Sequence, residues 1–122
     1  MKAAVLTVSD GVSDGTREDT SGALLEELLA GEGFEVERRV VPDDRDTIAH
    51  AIVALSDNAQ VVLTTGGTGL GPRDVTPEAT MAVLDRAAPG IAEAIRAHVV
   101  AHDLGEWLRL QLADMDRVSA PA

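Results

Sequence analysis

Cysteine is absent from the 122 residues. Disulfides and thiolate metal sites are excluded, and nothing asks for an oxidising compartment. Aromatic residues are nearly absent: one Phe, one Trp and no Tyr. The core has to be aliphatic, and base stacking on aromatic platforms is not an available way to hold nucleic acid. Positive charge is short. Ten Lys and Arg against 21 Asp and Glu leave a net charge of -11. Such a surface repels a phosphate backbone, so no nucleic-acid partner is expected. A small anion is a different matter, because backbone N–H groups bind it locally whatever the global charge. Long apolar runs are missing too. No stretch approaches the ~18 apolar residues of a membrane helix. "MKAAVLTVSDG" has one Lys and too short an apolar run for a signal peptide. The expectation is a cytoplasmic protein with no membrane partner, folded as a single domain over residues 1–122.

What is present alternates between two patterns. "AAVLTVS", residues 3–9, reads as a buried strand. Residues 34–40 alternate apolar and polar, giving a strand with one wet face, and Pro42 ends it. Residues 60–65 form a third strand. Between them lie two helical stripes. Leu24, Leu25, Leu28 and Leu29 make one, stopped by Gly31 and Gly33; Ile48, Ile52 and Leu55 make the other. Thr76 reads as an N-cap with Pro77 at the first helical position. From Pro89 onward the chain reads as helix, with a break at Gly105 and a frayed "SAPA" tail. Strand–helix alternation predicts an α/β fold with a parallel sheet and right-handed crossovers. Ligands of such sheets bind beyond the carboxyl ends of the strands. Three loops meet there: residues 9–22, 42–46 and 64–74.

The third loop, "TTGGTGLGPRD", carries no known nucleotide fingerprint. A P-loop needs Gly-Lys-Ser/Thr, and Gly71 is followed by Pro72. Its general chemistry is clearer. Gly66, Gly67 and Gly69 allow close approach of N–H groups to an anion, Thr65 and Thr68 offer hydroxyls, and the helix near Thr76 offers its positive end. A tight strand-to-helix connection explains the same residues. Asp74 fits either a helix-flanking acid or a magnesium ligand. Asp43 and Asp44 fit either an N-cap or the same metal role. Asp10 makes a third acidic loop at this edge, while Asp14 and Asp19 suit turn caps. His98 and His102 read as a solvated helix face. Ser9, Ser13 and Ser21 have no nearby histidine base, so a hydrolytic nucleophile is not supported. Trp107, Leu108, Leu110 and Leu112 read as core or subunit contacts.

"TVSDG", "DTSG", "VPDD" and "TTGGTGLGPRDVTPEAT" occur in that order. Together they resemble the Mog/MoaB family, the molybdopterin adenylyltransferases of molybdenum cofactor biosynthesis, over roughly residues 3–96. The resemblance implies a three-layer, mostly parallel sheet with helices on both faces. It implies Mg2+-dependent conversion of molybdopterin and ATP to adenylyl-molybdopterin and pyrophosphate. It assigns Asp43 and Asp74 to the metal and the ATP phosphates. Thr65, Gly66, Gly67, Thr68 and Gly69 would receive the terminal phosphate of molybdopterin, with Ser9 and Asp10 lining the neighbouring loop. A homo-oligomer, trimer or hexamer, and a molybdenum-insertion partner are implied as well. The family's Ser-Arg-Gly segment, following strand and Leu-Pro-Gly-Asn/Ser-Pro turn have no counterpart here, so the expected sheet lacks the usual C-terminal strand. Two alternatives to the enzyme are a molybdopterin- or nucleotide-binding protein without turnover and a competence-damage-type domain acting on other nucleotides.

Overall fold

The computed structural model describes residues 1–101. The three apolar runs become three parallel strands: β1, Lys2–Val8; β2, Glu35–Val41; and β3, Val61–Thr65, in the order β2-β1-β3. Five helices accompany them: α1, Asp10–Ser13; α2, Thr20–Gly31; α3, Arg45–Ser56; α4, Thr76–Met81; and α5, Pro89–Ala101. The register places Val8 beside Val41 and Thr7 beside Thr65. The three strands therefore end level, and the loops that follow them leave from one edge.

The crossover through α2 moves from β1 to one side of it; the crossover through α3 moves back past β1 to the other side. Two right-handed crossovers in opposite directions put their helices on opposite faces. The strand period of two then sorts the side chains. Ala4, Leu6 and Val8 face Ile48, Ala51, Ile52 and Leu55 of α3 and Ala79 of α4. The α3 positions recur at helical spacing, and Leu6, Ile48, Ile52 and Leu55 are fully buried. Each such side chain is worth roughly 1.5–3 kcal/mol of transfer free energy. Ala3, Val5 and Thr7 are also buried, on the α2 face.

Three local expectations need correction. The loop read after Ser9 contains α1: the Ser9 hydroxyl accepts the Val12 N–H at 3.2 Å and starts a helical turn. The four-leucine stripe is only half used. Leu25 and Leu29 are partly buried, whereas Leu24 and Leu28 are more than half exposed. Four leucines at this spacing span two adjacent faces of the helix, and the sheet contacts one of them. Thr76 is the first helical residue, not the cap; its hydroxyl is spent elsewhere. The β3 side chains are only partly buried, and among the described residues β3 pairs with β1 alone.

The helix expected beyond residue 101, its break at Gly105 and the expected absence of a C-terminal strand lie outside the described residues. So do His102, Trp107, Leu108, Leu110 and Leu112. Among the described residues no helix is long and apolar enough to cross a membrane.

The start of α2 is tied to the sheet by a carboxylate. Asp19 caps the helix by accepting the Gly22 N–H at 3.0 Å. It also accepts the Thr7 hydroxyl at 2.9 Å and the Arg38 guanidinium at 2.7 Å. Burial alone would push this carboxyl up. The Arg38 and Thr7 hydrogen bonds outweigh it, and the group is held below its ordinary value of 3.8. A lowered folded pKa stabilises the fold above the unfolded value and loses that effect as pH falls through the folded one. Asp19→Ala is therefore expected to cost about 1–3 kcal/mol at pH 7 in urea unfolding. The gap between variant and wild type is expected to narrow once the pH drops below 3.8.

Candidate functional site

A cavity of about 240 Å3 opens at the level ends of the strands. Ser9 lines it from the first loop, Asp43 from the second, and Gly66, Gly67 and Asp74 from the third. The start of α2 supplies another wall through Thr20 and Ser21.

The first two loops hold each other. The Asp10 N–H donates to Asp43 Oδ2 at 2.9 Å, and the Asp43 N–H donates to Asp10 Oδ1 at 3.0 Å. Arg73, from the third loop, closes on the same Asp10 carboxylate with Nε at 2.7 Å and Nη2 at 3.1 Å. The Arg73 hydrogen bond, then the Asp43 N–H, holds Asp10 below the ordinary carboxylate value, and Asp10 raises Arg73 in return. One carboxylate thus joins all three loops.

The open choice between Asp43 and Asp44 resolves by position. Asp44 is the N-cap of α3, accepting the Thr47 N–H at 3.0 Å and the Thr47 hydroxyl at 2.6 Å. The Thr47 hydroxyl is the main cause of its lowered pKa. Asp43 is left for the cavity. Its Oδ2 is occupied by Asp10, while its Oδ1 is buried and has no hydrogen-bond partner among the described residues. A buried, unpaired carboxylate oxygen is costly unless something else meets it. Asp74 does not cap α4 either. It accepts the Gly71 N–H at 3.0 Å, closing a four-residue turn, and faces the cavity.

The glycine loop is shaped by Thr76. Its hydroxyl donates to the Gly66 carbonyl at 2.8 Å, and its N–H donates to the Gly67 carbonyl at 3.1 Å. No peptide bond here is cis. In a trans peptide the N–H points opposite the C=O. With both carbonyls drawn toward Thr76, the Gly67 and Thr68 N–H groups are turned away from α4. Gly66 and Gly67 have φ of +91° and +67°, which L side chains rarely adopt. Both are packed against protein. A Cβ on Gly66 would overlap the Val8 carbonyl oxygen; one on Gly67 would overlap Thr76 Oγ1 and lie 3.1 Å from Asp43 Oδ1.

Two sequence-based assignments shift. The positive end of α4 was to complement an anion, but the Thr76 N–H is already used, Pro77 has none, and both residues are buried. Of the nine residues assigned to the site, Ser9, Asp43, Gly66, Gly67 and Asp74 line the cavity. Asp10, Thr65, Thr68 and Gly69 stand outside its lining. Asp10 acts through its ties to Asp43 and Arg73, and the Thr65 hydroxyl donates to Ser21 at 3.1 Å. Among the described residues no three His, Cys, Asp or Glu side chains converge as a metal-binding group.

Comparison with known proteins decides the lineage. Residues 4–105 match the family model described as a probable molybdopterin binding domain. The chain belongs to the molybdopterin-binding domain family. It is 41% identical over 101 residues to the molybdopterin adenylyltransferase of Escherichia coli K12, covering 79% of this chain and 52% of that protein. The molybdopterin biosynthesis enzyme MoaB of Thermus thermophilus superposes with a TM-score of 0.73 at 44% identity, over 79% of this chain and 62% of that one. A molybdopterin biosynthesis protein from Mycobacterium abscessus gives 0.78 at 36% identity, over 94% and 86%. The parallel sheet with its helices is the fold these relatives share. The chain spans about half the length of the curated adenylyltransferases it matches.

In this molybdopterin-binding domain pattern reading gave Arg73, Thr7 and Arg38 no role and gave Thr76 the wrong one. Each works through a partner distant in sequence, as Arg73 does with Asp10 across 63 positions. Only the lone polar Thr7 inside an apolar run offered a signal. Gly67→Ala is expected to destabilise by about 2 kcal/mol or more, combining the left-handed backbone with overpacking against Thr76 and Asp43. Urea unfolding checks this. Gly15→Ala serves as comparison: it shares a positive φ of +85° but has open space beyond it, and should lose about 1 kcal/mol.

Proposed function

We propose that this chain serves molybdenum cofactor biosynthesis by transferring AMP from ATP to molybdopterin. The observation that carries the reading is the buried, unpartnered Oδ1 of Asp43, beside Gly67 and in one cavity with Asp74. A buried carboxylate oxygen with no partner among the described residues, lining this cavity, fits a divalent cation. Mg2+ takes one or two carboxylates, retains waters and accepts substrate phosphate oxygens, so two aspartates suffice. Asp43 and Asp74 would hold it, and when bound it would neutralise the polyphosphate charge that builds up as pyrophosphate leaves.

The reaction asks little covalent chemistry of the chain. A terminal phosphate oxygen of molybdopterin attacks the α-phosphorus of ATP, and the bond to the bridging oxygen of pyrophosphate breaks. Positioning and charge stabilisation carry such transfers. The outward-turned amide of Gly67, in the cavity lining, would supply a donor for a phosphate. The Asp10–Arg73 pair holds Asp43 in place through the reciprocal backbone hydrogen bonds. Neither cavity serine is set up as a nucleophile: Ser9 Oγ caps α1 and Ser21 Oγ receives the Thr65 hydroxyl.

Incubation with molybdopterin, ATP and Mg2+, followed by chromatography of the pterin products, tests the proposal. Adenylylated pterin and pyrophosphate are expected. Asp43→Asn and Asp74→Asn should each lower the transfer rate about a hundredfold or more, in the range found when one transition-state-stabilising group is removed. Tight pterin binding without AMP transfer would instead make the chain a binding protein. Full activity in both variants would remove these aspartates from the site.

A further inference from the structure

Phosphate binding in this cavity faces an electrostatic difficulty. Glu18, Asp19, Asp43 and Asp74 all line it, on a chain of net charge -11. The arginines behind it are already committed. Arg73 is held by Asp10, and Arg38 by Asp19 with Glu26 at 3.5 Å. One cation lines the cavity itself, Arg17. Among the described residues its guanidinium makes no hydrogen bond and no ion pair.

The backbone places Arg17 deliberately. The Gly11 carbonyl in α1 accepts the Thr16 N–H at 2.9 Å and the Arg17 N–H at 3.1 Å, folding the loop back over the helical turn. The stem of Arg17 then lies on Gly11. A Cβ at Gly11 would overlap Arg17 Cδ and lie 2.9 Å from Cγ. Gly11 has no left-handed backbone to explain its lack of a side chain; the Arg17 stem fills the space instead. An arginine held by its stem and unpaired at its head is preorganised for an anion. Its planar fork matches a phosphate.

We propose that Arg17 is a substrate-binding residue that holds a phosphate group of one of the two substrates, in the same cavity as Asp43 and Asp74. The assignment rests on the adenylyl-transfer reading and adds the second positive charge which that reading needs.

Two measurements test it. The first is calorimetric titration with inorganic tripolyphosphate and Mg2+, which requires no turnover. Arg17→Ala should weaken binding about tenfold, the worth of a hydrogen bond to a charged group, and Arg17→Lys should recover part of it. Gly11→Ala keeps the charge but displaces the stem, and should weaken binding in the same direction. Thermal unfolding of Arg17→Ala should match wild type, which separates binding from a structural role. The second is steady-state AMP transfer. The KM for one substrate should rise about tenfold in Arg17→Ala with a smaller change in kcat. A shift for ATP places Arg17 on the triphosphate; a shift for molybdopterin places it on the terminal phosphate. Equal tripolyphosphate binding by wild type and Arg17→Ala, or no binding by wild type, overturns the assignment. An active wild type with both KM values unmoved in Arg17→Ala overturns it while leaving the adenylyl-transfer reading intact. A wild type that binds tripolyphosphate through Arg17 but transfers no AMP overturns that reading alone.

Discussion

Everything at the carboxyl edge of the sheet depends on how Thr76 grips the loop after β3. Fully buried at the start of α4, it takes the carbonyls of two successive glycines, one with its hydroxyl and one with its N–H. That grip fixes the direction of both peptide planes. It also fixes the height of the loop over β1, because Gly66 rests against the Val8 carbonyl. A loop seated this low brings Gly67 against Asp43, so the floor of the cavity and its principal acid share one contact. The anchor lies in a helix that itself packs on α3 and the hydrophobic core. Core packing is thus transmitted to the site through one side chain.

The second organising feature is the treatment of like charges. Acids crowd this edge, yet most are satisfied locally. Asp44 is used by α3, Asp19 by α2 and Arg38, and Asp10 by Arg73 and a backbone N–H. Each arrangement favours the ionised form, as the lowered values of Asp10, Asp19 and Asp44 indicate. Among the described residues these pairings leave over one oxygen of Asp43, the exposed side of Asp74, Glu18 and the guanidinium of Arg17. The acidity of this edge is thereby offset only in part: Asp10 and Asp19 by arginines, Asp44 by hydrogen bonds to Thr47.

The fold was legible because its signals are local and redundant. Each strand is an apolar run bounded by a turn, and the expected limits 3–9, 34–40 and 60–65 fall within a residue or so of β1, β2 and β3. Ile48, Ile52 and Leu55 mark the buried face of α3 directly. The site was legible only in outline. Three loops at one edge could be inferred from topology, and the glycine motif singled out one of them. Which acid caps and which faces the cavity could not, since Asp43 and Asp44 differ by one position and the choice is made by Thr47 and Asp10. Thr76 misled for a related reason. Threonine before Pro is a common cap, but here the loop ten residues upstream competes for the hydroxyl and wins. Arg17 gave no signal, because a cation between Thr16 and Glu18 looks like any solvated loop residue until Gly11 is seen beneath it.

Glycine density in such a motif is easily taken as room for a ligand. The contacts argue for a second cause. The side-chain positions missing at Gly66, Gly67, Gly69 and Gly71 are filled by Val8, Thr76, Asp43 and Asp74, all atoms of the protein. Gly11 repeats the pattern with Arg17. At these positions an absent Cβ lets a functional or anchoring side chain come closer than it otherwise could. The glycines therefore position acids, an anchor and an arginine around the opening, and the turned peptide planes of the loop are a consequence of the same folding back. A substitution at any of them would disturb the polar groups first and the ligand space second, which is why the loop must be read together with its partners rather than as a phosphate cradle alone.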